Sequence, residues 1–179
     1  MVIWVTGLAG AGKTTFARKL TKILRETLQG VFHLDGDHLR KILNDDKPDS
    51  YLKKNRLLLA RKYGKLAKAL SDQNAIVVVS TISLFNEVHL WNRANIKSYF
   101  DILLRPSFEV LQKRDQKQLY SDYTGGLVTN ITGLDQGVEF PSNPDFEFDH
   151  FGPKEVQNVA QLIIKSYYGG TNENCMGLY

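Results

Sequence analysis

With 179 residues, and 23 Lys and Arg against 19 Asp and Glu, the chain carries a formal charge of +4 and has room for one domain with a sizeable core. A hydrophobic fraction of 42% excludes a disordered chain, and no apolar run reaches membrane-spanning length. The single cysteine, Cys175, excludes an intramolecular disulfide and a cysteine metal cluster, and the four histidines make no metal spacing.

Val2 to Thr6 is a short β-branched run read as a strand, and Thr15 to Leu28 carry a helical pattern. Between them, Gly7 to Thr14 fit G-x-x-x-x-G-K-[ST]. Strand, glycine loop and helix in this order are the setting of a Walker A phosphate cradle. Glycines let successive N–H groups turn toward one anion, and the helix start adds partial positive charge. The pattern predicts ATP binding by Gly7, Ala9, Gly10, Ala11, Gly12, Lys13, Thr14 and Thr15. Lys13 reaches the β- and γ-phosphates, and the Thr14 hydroxyl is an expected Mg²⁺ ligand.

A second strand is predicted over Val31 to Asp35, followed by Gly36, Asp37, His38, Leu39 and Arg40. Lys47, Pro48 and Asp49 break the chain before a helix from about Tyr51 to Ser71. Leu52, Leu59, Tyr63, Leu66 and Leu70 are its expected buried face. Lys53, Lys54, Arg56, Arg61, Lys62, Lys65 and Lys68 read as a solvated face. One or two of its cations can meet a substrate's negative charge; Arg61, with Arg40, is assigned there. Ala75 to Val79 read as a central parallel strand ending in Ser80, Thr81, Ile82 and Ser83. Then come a helix over Glu87 to Ser98, a strand over Tyr99 to Leu104 and a helix from Ser107 to about Leu119. Residues 120–144 are rich in Gly, Thr, Asn, Asp and Pro and read as a lid pivoting at Gly125-Gly126, Gly133 and Gly137. Phe146 to Phe148 form the last strand and Val156 to Tyr167 the closing helix, with a loose tail from Gly169. The alternation, with the phosphate loop, predicts a single α/β P-loop domain over 1–179, a three-layer sandwich with helices on both faces of a parallel sheet.

Ligands of such sheets bind beyond the carboxyl ends of the strands, where Asp35, Asp37 and Ser80 to Ser83 meet the phosphate loop. Phosphoryl transfer needs a carboxylate to take the acceptor's proton and oxygen ligands around Mg²⁺. Asp37 is assigned as the base and Asp35 as the Mg²⁺ or orienting partner, with Lys13 on the phosphates. Asp37 also fits as the cap of a helix starting at His38. Arg114 and Lys117, one helical turn apart, either close over the phosphates or lie on an exposed charged helix.

The phosphate loop G-L-A-G-A-G-K-T-T, L-D-G-D at Leu34 to Asp37, I-S at Ile82-Ser83, R-D-Q-K-Q-L-Y at Arg114 to Tyr120 and N-I-T-G-L-D at Asn130 to Asp135 follow one another in order. Glu139, Pro141 and Asn143-Pro144 come after them. In this the chain resembles the adenylylsulfate kinases from Met1 to about Phe148. The resemblance implies transfer of the ATP γ-phosphate to a ribose 3′-hydroxyl with Mg²⁺, in a homodimer. It maps Asp37 to the acceptor-side aspartate, Ser83, beside Ile82, to a serine near the phosphates, and Lys117 to a lid lysine. Asn130 and Ile131, with Thr132 after them, map to the segment that holds the acceptor nucleotide.

Departures gather on the acceptor side. The family's D-G-D-N has His38 in its last place, I-S-P-Y-R reads I-S-L-F-N with Asn86 for arginine, and G-I-D-D-P-Y-E reads Gly133 to Glu139 as G-L-D-Q-G-V-E. An arginine expected before the lid glycine is Thr124, and the aromatic that stacks on adenine is Ile131. Base stacking is worth about 1–3 kcal/mol, so the acceptor expected is another 5′-modified nucleotide. The family's branch acting on cytidine diphosphoramidate in capsule biosynthesis fits a smaller base. Adenylylsulfate itself is the alternative, and a non-catalytic nucleotide-binding regulator is the alternative of another class. The expected partner is this small nucleotide, with neither nucleic acid nor membrane, and the expected compartment is the cytoplasm, because no basic segment precedes the first apolar run.

Overall fold

The computed structural model describes residues 1–43, 48–115, 118–129 and 131–175. The described residues form five parallel strands, β1 (Val2–Gly7), β2 (Val31–Asp35), β3 (Ile76–Ser80), β4 (Tyr99–Leu104) and β5 (Phe146–Phe148), in the order β2-β3-β1-β4-β5. Alternate side chains of a strand face opposite sides of the sheet, so a strand covered on both faces must be apolar throughout. In β1, Ile3 and Val5 enter one core with α1 (Lys13–Thr27) and α7 (Pro153–Cys175). Val2 and Trp4 enter the other, with α3 (Lys53–Ser71) and α4 (Asn86–Asn95). The result is the three-layer P-loop kinase sandwich.

Helix phase decides what each helix buries. In α1, Phe16, Leu20 and Leu24 are four residues apart and fully buried. In α3 the buried strip is Leu59, Tyr63 and Ala67, with Ala60 and Gly64 beside it. Leu66 is 39% exposed, and Leu52 precedes the first turn and is 36% exposed. The small residues have a reason: α4 crosses so closely that a Cβ at Gly64 would strike the Asn92 side-chain oxygen.

Two boundaries differ from the sequence expectation by more than three residues. The helix from Ser107 does not continue to Leu119; α5 (Phe108–Arg114) stops, and α6 (Leu119–Thr124) starts anew. Asp115 is the cause, since its carboxylate accepts the N–H groups of Tyr120 (2.9 Å) and Ser121 (3.0 Å) and the Ser121 hydroxyl (2.7 Å). Those bonds satisfy the open donors of a helix start. The closing helix runs through Gly169 and Gly170 to Cys175 where a loose tail was expected. A glycine costs a helix about 1 kcal/mol, far less than a proline, and no proline follows.

Four residues place the site. Between α2 (Gly36–Ile42) and α3 lies a short 3₁₀ turn, Pro48–Tyr51, which brings Tyr51 to the carboxyl end of the sheet. The segment around 131–139 crosses the same edge and is tied down on three sides. Gly133, at φ 91°, lies where a Cβ would collide with the Leu8 side chain, the Gln136 amide donates to the Tyr51 carbonyl (3.1 Å), and Glu139 N–H donates to the Leu84 carbonyl (3.1 Å).

Candidate active site

A cleft of about 850 Å³ opens above the carboxyl ends of β1, β2 and β3. Its floor is the phosphate loop. Gly7 has φ 151°, and a Cβ there would run into the Leu104 carbonyl oxygen of β4. Gly12, at φ 92°, precedes α1 without any side-chain cap, and a Cβ on it would sit 3.0 Å from the Phe151 ring. The start of α1 therefore borders the cleft with no side-chain cap and no carboxylate in its first turn, as an anion-binding helix end would. The Lys13 ammonium donates to the Leu8 carbonyl (2.7 Å), which holds it in the curl of the loop.

Asp35 ties three elements together. One carboxylate oxygen caps α2 by accepting the N–H groups of Asp37 (3.1 Å) and His38 (3.4 Å). The other accepts the hydroxyls of Thr14 (2.7 Å) and Ser80 (2.9 Å). Burial raises the Asp35 pKa, but the hydrogen bonds from Thr14, Ser80 and His38 outweigh it and hold the carboxyl below its ordinary value. Ser80 gives its proton to Asp35, so the His33 Nε2 at 2.9 Å must be the protonated nitrogen that donates to Ser80. Burial, helped by Arg18 and Arg25 against the pull of Asp35, lowers the His33 pKa and keeps this ring neutral at pH 7. The cap of α2 is thus Asp35, and Asp37 stands exposed in the cleft.

Beyond Asp37 the cleft is cationic and aromatic. The guanidinium of Arg40 lies 4.7 Å and that of Arg56 5.2 Å from the centre of the Tyr51 ring. Burial and Arg40 lower the Arg56 pKa, while Tyr51, Asp135 and Asp37 favour its charge. Ile82, Ser83, Ile131 and Thr132 line the same space, with Ile131 only 6% exposed. The Ile131 N–H donates to Asp135 (2.6 Å). Toward the phosphate loop, Arg114 donates to the Gly10 carbonyl (3.3 Å) and the Tyr120 hydroxyl to that of Ala9 (2.9 Å).

The cleft therefore brings together Ala9, Gly10, Gly12, Lys13, Thr14 and Thr15 with Asp35, Asp37 and Arg40. Ile82, Ser83, Arg114, Ile131 and Thr132 join them. Gly7 and Ala11 are buried beneath the loop and shape it. Arg61 is elsewhere: it pairs with Glu87 at 2.7 Å, both side chains half exposed. Five residues along a helix of 3.6 per turn turn a side chain by about 140°, so α3 shows the cleft Arg56 and not Arg61. Lys117 and Asn130 lie outside the described residues. Ser80 is in the cleft as expected. Tyr51 and Phe151 were not singled out from sequence, and Arg56 was read with the solvated face, although Tyr51 and Arg56 flank the start of the basic helix.

Among the described residues no group of three or more His, Cys, Asp and Glu is placed to hold a metal ion. The Thr14 hydroxyl and the Asp35 carboxylate fit Mg²⁺, a hard cation that keeps several waters and takes the rest of its ligands from phosphates. Thr14 already gives its proton to Asp35, as a hydroxyl presenting its lone pairs to a cation would. Also among the described residues, no helix is long and apolar enough to cross a membrane.

Comparison with known proteins supplies the family. The family described as adenylylsulphate kinase matches residues 1–149. The cytidine diphosphoramidate kinase of Campylobacter jejuni is 37% identical over 92% of this chain and 94% of its own. The adenylyl-sulfate kinase of Halothermothrix orenii is 35% identical over 92% and 88%. The Mycobacterium tuberculosis APS kinase CysC, solved in complex with AMPPNP and APS, superposes with a TM-score of 0.79 at 30% identity, covering 90% of this chain and 96% of its own. The chain belongs to the adenylylsulfate kinase family, P-loop enzymes that phosphorylate an alcohol with ATP.

Proposed function

We propose that the protein is an ATP-dependent kinase that phosphorylates the ribose 3′-hydroxyl of a cytidine 5′-diphosphate conjugate, cytidine diphosphoramidate, in capsule polysaccharide biosynthesis. The observation that carries the choice of base is the buried, branched Ile131 in the cleft wall where the family resemblance calls for a stacking ring. Tyr51, one of the aromatic residues lining the cleft, has the Arg40 and Arg56 guanidiniums near its ring. Two cations there suit a diphosphate better than a second stacked ring would.

The chemistry divides among the residues as follows. The phosphate-loop N–H groups and Lys13 hold the β- and γ-phosphates, and Arg114 approaches from α5. Asp37 accepts the 3′-hydroxyl proton on a carboxylate oxygen as the new O–P bond forms and the bond from the γ-phosphorus to the bridging oxygen breaks. Asp35 is a poor base, since its carboxylate takes four hydrogen bonds and its pKa is lowered. Its part is to orient Thr14 and the waters of Mg²⁺. When bound, that ion supplies charge neutralisation at the transferring phosphoryl group. The segment 131–139 keeps water from the acceptor hydroxyl. A homodimer acting in the cytoplasm on a small nucleotide, without nucleic acid or membrane, completes the proposal.

Adenylylsulfate is the second reading, favoured by the likeness to a kinase solved with APS. ADP release measured with Mg·ATP and equal concentrations of the two conjugates separates them. A kcat/KM at least tenfold higher for the cytidine conjugate supports the first, and a preference for adenylylsulfate supports the second. Release without any acceptor overturns both.

A further inference from the structure

Behind the acceptor wall lies a polar pair that the phosphoryl-transfer machinery does not use. His89 of α4 and Asp101 of β4 are both buried, at 4% and 1% exposure. The His89 Nδ1 is 2.8 Å from an Asp101 carboxylate oxygen, and its Nε2 is 3.0 Å from the Ser83 carbonyl oxygen. A carbonyl oxygen accepts only, and so does an ionised carboxylate. A neutral imidazole owns one N–H and would leave a lone pair facing a lone pair at the other contact. The pair therefore holds two protons for its two contacts, one at Nε2 toward Ser83 and one between Nδ1 and Asp101.

What this pair grips matters. Ser83 has φ +23°, a conformation that side-chain-bearing residues rarely adopt, and it forms part of the cleft wall. Its carbonyl takes the His89 proton together with the Phe85 N–H (3.0 Å), and its hydroxyl is paired with that of Thr81 (3.0 Å). We infer that His89, loaded with its second proton by Asp101, is a positioning residue that holds the Ser83 turn in the conformation which receives the acceptor nucleotide. The inference rests on the reading of this wall as the acceptor side. The charged or titratable groups near the pair are Arg93, which bonds Asp145 (2.9 Å), Asp145 itself, which accepts the Asp101 N–H (2.8 Å), and the buried Tyr99.

The test has two arms. His89→Phe alone strands a buried carboxylate and can cost the fold, so the kinetic variant is H89F/D101L, which removes both partners together, a change that is often neutral for stability. Wild-type thermal stability with an acceptor KM raised about tenfold and an unchanged ATP KM is the expected result. Unchanged KM values for both substrates, or equal rises in both, overturn it. The second arm needs no acceptor: ring ¹⁵N resonances of the wild-type protein at pH 7 should show protons on both nitrogens of His89 or one shared with Asp101. A single proton on Nδ1 with a bare Nε2 overturns the inference. Should the wild-type kinase turn over neither conjugate, the acceptor reading fails by itself and the ¹⁵N arm still decides the proton state.

Discussion

Replacing Asp35 by alanine should destabilise the protein and disable it through separate consequences of the same four bonds. The cap of α2 is lost, which costs about 0.5–2 kcal/mol, and the hydroxyls of half-buried Thr14 and buried Ser80 lose their common acceptor, at about 1 kcal/mol each. The total of roughly 2–4 kcal/mol corresponds, for a domain of this size, to a fall in Tm on the order of 5–15 °C. Asp35→Asn should lose about half as much, since the amide oxygen can still cap and the hydroxyls can turn their lone pairs to the amide. The pH dependence has a definite sign. A carboxyl whose folded pKa is lowered contributes stability above its unfolded value, and that contribution disappears as pH falls through the folded one. The Tm gap between wild type and Asp35→Asn should therefore be full at pH 6 to 7 and shrink toward pH 3. Circular dichroism melts at several pH values measure it, and the Mg²⁺ concentration for half-maximal activity should rise about 10- to 100-fold alongside. A melting point within 1 °C of wild type, or a gap that widens in acid, would refute the reasoning.

Asp37→Asn should lower kcat by about 10²–10⁴ with ATP affinity unchanged, as measured by steady-state kinetics and nucleotide titration. An unaffected rate removes Asp37 as the base. Arg56→Ala should raise the acceptor KM about tenfold or more while Arg61→Ala leaves it alone, because only Arg56 reaches the cleft; equal effects would contradict that placement. Ile131→Phe should shift the kcat/KM ratio toward adenosine conjugates by about tenfold, and an unmoved ratio would detach the position from base recognition.

The parts of the fold that depend on local pattern were readable in the chain. Val31–Asp35, Tyr99–Leu104 and Phe146–Phe148 are strands at the expected residues, because β-branched and aromatic runs between turn residues have few other outcomes. The phosphate loop was readable for a similar reason, since its glycines answer to backbone sterics. What escaped depends on side chains meeting across the fold. The break at Asp115 turns on a carboxylate reaching forward to Tyr120 and Ser121, and no apolar period records that. Arg56 and Arg61 are equivalent in composition, and only the phase of α3 separates a cleft cation from the partner of Glu87. The His89–Asp101 pair joins a helix to a strand and carries no motif at all.

The claim at the centre of this account is that the cleft moves the γ-phosphate of ATP onto a ribose 3′-oxygen. Incubation with Mg²⁺, [γ-¹⁸O]ATP and cytidine diphosphoramidate, followed by ³¹P NMR of the product, tests it directly. The expected result is a new phosphomonoester coupled to the ribose H3′ and bearing the labelled oxygens. Label recovered only in inorganic phosphate, or on the nucleotide's diphosphate end, would contradict it.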